Sequence, residues 1–405
     1  MHKNIICGLD IGTSSIRALV AETLDLPAGE KKVGLDLRQK ILGVRESKTK
    51  GFSKGIVSNL SLLSDAIEEA ISKVEESAHC KVRRVITNIS GVHIRTFKSR
   101  GSVHISDRPS EITEEDIKRC IESAKLIAMS LDREVVYLMP ERFFIDDEME
   151  ISDPLGLFGS KLDVDLNIIT TLVSILQNIT KAINLAGYEV EGVVLSGAGT
   201  ALGILGQREL EEGAVIIDVG KDITEAALFT DGRLRDCFYF PFGGDDLTQA
   251  LQDNLRIMFK EAEESRIKYG IVTKNSSEEY NDALPRREIS NILFPKVEEI
   301  MQNVYKKIEP FLKEKKVSPR IYIVGGVSRM DGFVETVEEI FGVPVHMARL
   351  HDAKDLHDCT FACSLGLMRY GVTKRIEKRP RYFPSINSPA GRFISKMQSI
   401  LSEYF

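Results

Sequence analysis

The residues with the clearest chemical potential are two aspartates, each placed after an apolar segment and before a polar turn. Residues 5–20 read IICGLDIGTSSIRALV and residues 214–229 read AVIIDVGKDITEAALF, so Asp10 and Asp218 occupy the same place in two copies of one pattern. Short apolar runs that stop at a glycine-containing turn are typical of buried strands. We therefore predict a strand, a turn and a second strand in each copy.

Each copy also has the chemistry of a phosphate site. Glycine lets backbone N–H groups approach an anion closely, hydroxyl groups can donate to phosphate oxygens, and an aspartate at a strand end can hold Mg²⁺ through water. The predicted ligand-binding residues are Asp10, Gly12, Thr13, Ser14, Asp218, Gly220, Lys221 and Thr224, with Asp10 and Asp218 as the metal-binding pair. The alternative is two ordinary hairpins without a ligand, and the repetition of the pattern favours the site.

A third segment pairs a strand with two glycines. Residues 320–324 read RIYIV and precede Gly325 and Gly326, and a helix is predicted from about Asp331 through Phe341. Bare glycine backbone would let a flat base lie against it. The alternative is a simple turn between a strand and a helix.

A fourth segment is a helix over residues 262–270 that ends at Gly270, which is typical of a C-cap. Glu263 and Arg266 lie three residues apart on one face of this helix. We include both as candidate site residues, although the same spacing also suits a surface ion pair.

The composition is that of a soluble globular protein with more than one domain. The 405 residues include 43% hydrophobic and 28% charged residues, which excludes global disorder, and 54 Lys and Arg against 60 Asp and Glu give a net charge of −6. An acidic chain argues against nucleic-acid binding. No apolar run is long enough to span a bilayer and no export signal is apparent. A pattern repeated at about half the chain length predicts two related α/β lobes.

The six cysteines are scattered, which is typical of reduced thiols in a cytosolic protein. His351, His357, Cys359 and Cys363 lie close together in sequence, but their spacing matches no common zinc finger. We favour a packed helix that carries small thiols over a metal site.

Residues 84–167 differ in character from the two copies and predict an inserted α+β module. Strands are predicted at 82–90, 135–145 and 162–171, and a helix at 113–131 that opens with Thr113 as its N-cap and an acidic first turn. The polar stretch 274–284 predicts a loop.

The carboxyl end combines a basic linker with an amphipathic helix. Residues 373–390 contain three prolines and no periodicity, and residues 374–405 hold seven Lys or Arg and two Glu, a net charge of +5 in an otherwise acidic chain. A helix over 391–405 would be about 22 Å long, too short to span a bilayer. Its predicted membrane-binding residues are Arg392, Phe393, Ile394, Lys396, Met397, Ile400, Leu401, Tyr404 and Phe405. The alternatives are that this helix docks on a partner protein or on the body of the protein itself.

These motifs, in this order, resemble the actin/Hsp70/sugar-kinase superfamily and, within it, the FtsA family of bacterial cell division. The segments similar to family motifs are residues 8–14, 55–60, 153–157, 241–245, 262–270 and 324–327. The resemblance adds Gly243, Gly244 and Val327 to the nucleotide-binding residues. The amphipathic carboxyl helix is the most discriminating match, because actin-like relatives generally lack it.

The resemblance implies an actin/Hsp70-like two-lobe α/β fold with duplicated subdomains and an inserted subdomain. The implied division is a first lobe at 1–83, 168–198 and 355–372, the insert at 84–167, a second lobe at 199–240 and 305–354 with a small subdomain at 241–304, the linker at 373–390 and the membrane helix at 391–405.

The resemblance further implies that ATP and Mg²⁺ bind between the lobes and that the chain forms homo-polymers. It implies a peripheral protein on the cytoplasmic face of the cell membrane at the division site. There it would bind membrane lipids, tether FtsZ filaments and recruit other divisome proteins through the insert. The FtsZ site would lie on the subdomain near 240–305, where Lys296 would meet an acidic FtsZ tail. Enzymatic activity would be a weak ATPase at most. The alternatives are a pilus-assembly actin homologue of the PilM type and a small-molecule kinase.

The second turn departs from the superfamily pattern, which usually reads Asp-Ile-Gly-Gly-Gly-Thr-Thr-Asp. Lys221 and Asp222 replace two glycines, and Glu225 takes the place of the final acid. Lys221 could contact a phosphate directly, whereas Asp222 would repel one unless Mg²⁺ lies between them.

Overall fold

The computed structural model describes residues 5–23, 39–128, 130–273, 286–314, 319–351, 353, 356 and 358–377. The predicted loop at 274–284, the linker beyond residue 377, the amphipathic helix at 391–405 and His357 lie outside these residues.

The elements before the insert form most of the first lobe. They are β1 (Ile5–Ile11), β2 (Ser15–Thr23), β3 (Gln39–Lys48), β4 (Phe52–Ser53), β5 (Ile56–Val57), α1 (Leu60–Ala78) and β6 (Arg84–Ile89). The first predicted hairpin is confirmed, because β1 and β2 pair antiparallel with Asp10 opposite Arg17. Every residue of β1 after Ile5 is buried, as expected of a central strand.

The insert consists of β7 (Arg95–His104), β8 (Ser110–Glu111), α2 (Glu114–Ala128), β9 (Arg133–Ile145), β10 (Met149–Ile151), β11 (Phe158–Gly159) and β12 (Lys161–Leu172). Its four-stranded sheet has the order β10-β9-β12-β7, and α2 packs on β7 and β12. The predicted N-cap of α2 is confirmed, since the backbone N–H of Asp116 donates to Thr113 Oγ1 and the Asp116 carboxylate accepts from the Thr113 N–H.

The boundaries predicted for the insert need correction at both ends. Strand β6 pairs parallel with β1, so residues 84–89 belong to the first lobe, and β12 continues to Leu172 within the sheet of the insert. An apolar strand pattern indicates burial but not the sheet in which the strand lies.

The elements after the insert complete the first lobe and form the second. They are α3 (Val173–Leu185), β13 (Glu189–Leu195), α4 (Ser196–Ile204), α5 (Gln207–Glu212), β14 (Ala214–Val219), β15 (Thr224–Thr230), β16 (Arg233–Phe240), α6 (Gly244–Leu255), α7 (Phe259–Tyr269), α8 (Arg286–Leu312), β17 (Arg320–Val324), α9 (Phe333–Phe341), β18 (Val345–Met347) and α10 (Ala362–Glu377). The second predicted hairpin is confirmed by the antiparallel pair of β14 and β15.

The two five-stranded sheets share one topology. The first has the order β13-β6-β1-β2-β3 and the second the order β18-β17-β14-β15-β16. In each sheet the strand that carries the aspartate is antiparallel to the next strand of its hairpin and parallel to a later strand on its other side. The predicted duplication of lobes is therefore present in the fold.

Two details of the predicted division change. Helix α8 runs without a break through residues 304 and 305, and its buried residues share one core with β14, β17 and α9, so 241–304 does not have a core separate from the rest of the second lobe. Helix α10 continues to Glu377, so the linker predicted from residue 373 starts five residues too early. Among the described helices, none has the length and apolar character needed to cross a bilayer.

Candidate functional site

A cleft of about 260 Å³ lies between the two sheets, at the ends of the strands that carry the two aspartates. Twelve of the predicted residues line it, namely Asp10, Gly12, Thr13, Ser14, Asp218, Gly220, Lys221, Glu263, Arg266, Gly325, Gly326 and Val327. The structure thus brings together four sequence segments that are far apart along the chain.

The two turns have the same backbone geometry. The Gly12 N–H donates to the Ser15 carbonyl at 3.1 Å, and the Gly220 N–H donates to the Ile223 carbonyl at 3.0 Å. Each bond closes a turn that leaves polar groups at the cleft. Equivalent turns from two lobes therefore form opposite walls of one site.

Three predicted residues do not line the cleft. Thr224 is fully buried and its hydroxyl donates to the Phe242 carbonyl, while the Gly244 N–H donates to the Gly220 carbonyl. Gly243 packs so closely against Gly220 and Lys221 that a side chain there would meet their carbonyl oxygens. These residues pack against the second turn and hold it from behind.

Asp10 is held in a buried polar network at the floor of the cleft. Asn88 Nδ2 donates to Asp10 Oδ1 at 2.8 Å and to Ser196 Oγ at 3.0 Å, and Asn88 Oδ1 accepts from the Ile11 N–H at 2.8 Å. Burial raises the pKa of Asp10, and the Arg17 guanidinium, 3.7 Å away, opposes this rise. The carboxylate is fixed in position but poorly compensated in charge.

Asp218 lies in the opposite lobe and shares this environment. Burial raises the pKa of Asp218 to about 6, and the negative charge of Asp10 adds to the rise. A carboxyl group whose ionisation is disfavoured by a second carboxyl group suits a hard divalent cation such as Mg²⁺, which would favour the charged form of both. The described residues contain no cluster of three or more His, Cys, Asp or Glu that could hold a metal. A cation here would need phosphate or water oxygens to complete its ligands.

Lys221 lines the cleft, but its ammonium group has carboxylate partners in its own lobe. Lys221 Nζ lies 3.2 Å from Glu263 Oε1 and 3.8 Å from Asp245 Oδ1. Arg266 is buried and donates from Nε to Thr248 Oγ1 at 3.0 Å. Glu263 and Arg266 therefore have different partners, and the surface ion pair considered for them is not the arrangement found.

Gly325 is required by the shape of the cleft. Its φ of +97° is a conformation that L side chains rarely adopt, and a Cβ at this position would meet the Val219 carbonyl and lie 2.5 Å from Asp218 Oδ1. At Gly326, by contrast, an added Cβ would have no atom within 4 Å. The first glycine thus permits the turn to form, and the second leaves bare backbone at the cleft.

Several cleft residues were not predicted as site residues. They are Ile11, Arg17, Phe52, Gly55, Asn88, Ser90, Ser196, Asp222, Ile223, Glu225, Ile267 and Cys363. A signal existed for some of them, because Ser90 and Ser196 directly follow the parallel strands β6 and β13, and ligands of open α/β sheets bind at the carboxyl ends of such strands.

Glu225 is a buried carboxyl group that joins the two lobes. It is 5% exposed, and it accepts hydrogen bonds at 2.8 Å from Ser90 Oγ and from the Gly197 N–H, both in the first lobe. Burial raises the pKa of Glu225 to about 7, the hydrogen bond from Ser90 opposes this rise, and the charge of Asp218 adds to it. Glu225 occupies the position in the second hairpin that Arg17 occupies in the first.

Glu225 predicts a pH dependence of stability. Since its pKa is raised from 4.5 to about 7 on folding, the folded protein keeps a proton that the unfolded chain loses over this range. Its contribution is fully present below about pH 4.5 and is lost as the pH rises through about 7, which we expect to lower the free energy of unfolding by about 3 kcal/mol. Urea denaturation at pH 5 and pH 8 measures this. Glu225→Gln should reduce the loss, and equal losses in both proteins would contradict the assignment.

Comparisons with known proteins agree with this architecture. One family model, described as the SHS2 domain inserted in FTSA, matches residues 91–170, and another, described as cell division protein FtsA, matches residues 215–366. The cell division protein FtsA of Pseudomonas aeruginosa is 30% identical over 387 residues, with 92% of this chain and 90% of that protein covered. This chain belongs to the FtsA family of cell-division proteins.

Other FtsA proteins match over the full length. FtsA of Escherichia coli strain K12 is 24% identical over 428 residues and covers 100% of this chain and 99% of that protein. The family's inserted domain, matched from residue 91, agrees with an insert that begins after β6 rather than at residue 84.

Solved structures show the same actin-like fold. The PilM–PilN type IV pilus biogenesis complex matches with a TM-score of 0.65 at 16% identity, over 91% of this chain and 98% of that one. MreB5 of Spiroplasma citri bound to ADP matches with a TM-score of 0.50 at 15% identity, over 92% of this chain and 98% of that one. At these identities the likeness establishes the fold and nothing about ligands.

Proposed function

We propose that this FtsA-family protein is an ATP-binding, actin-like scaffold that polymerises and tethers FtsZ filaments to the cytoplasmic face of the membrane at the division site. In this role it recruits later division proteins, and any ATP hydrolysis is weak. The observation that carries the nucleotide part of the proposal is the pair of equivalent turns facing each other across one cleft, each preceded by a strand that carries an aspartate.

The cleft residues fit ATP and Mg²⁺ chemically. Gly326 offers open backbone to a base, Thr13 and Ser14 offer hydroxyls to phosphate oxygens, and Asp10 and Asp218 offer carboxylates to a cation. Bound Mg²⁺ would neutralise phosphate charge and relieve the repulsion between the two carboxylates. ATP held between the lobes would favour the conformation that is competent to polymerise.

The nucleotide proposal is tested by titrating ATP with and without Mg²⁺. Asp10→Ala removes one carboxylate of the proposed cation site, so we expect about 100-fold weaker binding with Mg²⁺ and a much smaller change without it. Asp165→Ala is the matched control, because Asp165 pairs with Arg100 on the insert, away from the cleft. If wild-type protein shows no saturable binding of ATP, the nucleotide part of the proposal is wrong and the protein is a scaffold that does not bind nucleotide.

The membrane part of the proposal rests on the sequence of residues 391–405 and on the basic linker before it. One apolar face of bulky residues flanked by Arg392 and Lys396 suits an in-plane helix at a lipid surface. A single such helix binds weakly, but polymerisation places many of them on one membrane. The combined affinity then exceeds that of each copy.

Flotation with liposomes that contain anionic lipid tests this anchor. Phe393→Glu puts a charge on the apolar face, so we expect the protein to float at least about tenfold less than wild type. Ser395→Glu adds the same charge on the polar face and should retain most of the flotation. Equal flotation of wild type and Phe393→Glu would contradict membrane binding through this helix.

FtsZ is the proposed filament partner, and an acidic FtsZ tail would meet Lys296. This residue lies on α8, where its ammonium donates to Glu299 at 2.8 Å, so the tail would compete with a neighbouring side chain. The PilM-type alternative rests on a likeness of fold alone. Binding to FtsZ would support the FtsA-type function, and binding to a short pilus-protein peptide would support the PilM-type function. ATP consumption that occurs only when a sugar or acid is added would instead support a small-molecule kinase.

A further inference from the structure

Asp222 joins the second turn to two segments of the first lobe. Its Oδ1 accepts a hydrogen bond from Thr13 Oγ1 at 2.7 Å, and its Oδ2 accepts from Ser53 Oγ at 2.9 Å and from the Lys54 N–H at 2.7 Å. The residue is 5% exposed. Three donors from one lobe thus converge on a single carboxylate of the other.

These donors are of the kind that bind phosphate. Hydroxyl groups and backbone N–H groups at a turn hold phosphate oxygens in many sites, and Thr13 is one of the hydroxyls predicted for this task. Asp222 presents two anionic oxygens to the same donors. A phosphate that used the Thr13 hydroxyl would have to displace this carboxylate.

The repulsion between Asp222 and a phosphate is weakly compensated. Lys221, the adjacent cation, lies against Glu263 and Asp245. Arg17 lies near Asp10 and Glu46 instead. Lys221 and Arg17 therefore have carboxylate partners of their own, and Arg266, the third cationic side chain that lines the cleft, is buried and donates to Thr248. A phosphate beside Asp222 would thus meet an anion at close range.

The position of Asp222 also indicates which phosphate it meets. Gly325, one of the two glycines at the proposed base site, lies close to Asp218 and Val219, since a Cβ on it would be 2.5 Å from Asp218 Oδ1, and both residues precede the second turn. If the base lies at this glycine pair, a phosphate chain that follows the turn would pass Gly220 and Lys221 before it reached Asp222. On this path the two inner phosphates would leave the Asp222 contacts intact, whereas a third would displace them.

We propose that Asp222 is a built-in competitor of the terminal phosphate of a nucleoside triphosphate, so that this cleft prefers a diphosphate. The inference rests on the proposed nucleotide-binding function. Binding of a triphosphate breaks the Asp222 contacts with Thr13, Ser53 and Lys54, and so releases the β4–β5 hairpin from the second lobe. A diphosphate leaves this link between the lobes in place.

The test is a fluorescence titration of ATP and ADP, each with Mg²⁺, on wild type and three variants. Asp222→Gly, which restores the usual glycine, should raise ATP affinity about 10- to 100-fold and ADP affinity less than about threefold. Asp222→Asn removes the charge but keeps the shape, and should have a smaller effect in the same direction. Asp165→Asn is the control for loss of a charge, because Asp165 pairs with Arg100 on the insert, away from the cleft, so the ATP/ADP ratio should stay unchanged.

Hydrogen exchange of the Lys54 amide gives a second readout, which does not rely on a measured nucleotide affinity. Its partner is Asp222, so exchange should be faster in Asp222→Gly and should quicken in wild type on adding ATP but not ADP. Nucleotide binding with an unaltered ATP/ADP ratio in the Asp222 variants would overturn this inference alone. Absence of binding in every protein would overturn both this inference and the nucleotide function.

Discussion

Replacing Gly325 by alanine should lower the free energy of unfolding by about 3 kcal/mol and abolish nucleotide binding. The backbone at this residue has φ +97°, and the new Cβ would meet the Val219 carbonyl and lie 2.5 Å from Asp218 Oδ1. Neither neighbour can move freely, because Val219 belongs to the central strand β14 and Asp218 lies at the floor of the cleft. Chemical denaturation measures the loss of stability, and ATP titration measures the loss of binding.

Gly326→Ala is the matched control for this prediction. The residue has helical φ and ψ of −67° and −30°, and no atom lies within 4 Å of the added Cβ. We expect the free energy of unfolding to change by less than about 0.5 kcal/mol, while ATP binding weakens because the backbone under the base is no longer bare. Equal stability of the two variants would show that Gly325 is not needed for the shape of the turn.

Replacing Gly366 by alanine should have a still larger effect on stability, about 4 kcal/mol or more. Helix α10 crosses α4 at this glycine, and the new Cβ would meet the Gly199 carbonyl oxygen and lie 3.0 Å from the Gly203 backbone nitrogen. Both contacts are with helix backbone, so relief requires the two helices to separate. Because α10 also packs on β1, separation would disturb the strand that carries Asp10.

Gly192→Ala tests whether any added methyl group has this effect. In β13 the nearest atom to its Cβ is Tyr370 Cε1 at 3.5 Å, an ordinary contact, so we expect a change of less than about 0.5 kcal/mol. Thermal and urea unfolding of both variants provide the comparison. If Gly366→Ala is as stable as wild type, the close contact between α10 and α4 at this glycine does not limit the size of the side chain.

The local parts of the site could be predicted from the sequence. The strand–turn–strand pattern around Asp10 and Asp218 depends on hydrophobic periodicity and turn residues within about fifteen positions, and the structure confirms both hairpins. The same holds for the glycine pair after β17 and for Thr113 as the N-cap of α2. Sequence patterns predict these features because interactions between residues that are close in sequence produce them.

The boundaries between units could not be predicted as well. The sequence pattern assigns β6 to the insert, whereas in the structure this strand pairs with β1. Helix α8 likewise crosses the border predicted at residues 304 and 305. An apolar strand or helix pattern is equally consistent with several neighbours, and only the packed chain selects one.

By itself the sequence determined the duplicated lobes, the turns and many of the residues around the cleft, because each depends on neighbours along the chain. Only the tertiary structure decided what these residues do to one another. Asp222 was expected to repel a ligand, and the structure shows that it also binds Thr13 and Ser53, which are 209 and 169 positions away. Contacts between lobes depend on how the two sheets pack across the cleft, and no local pattern carries that information.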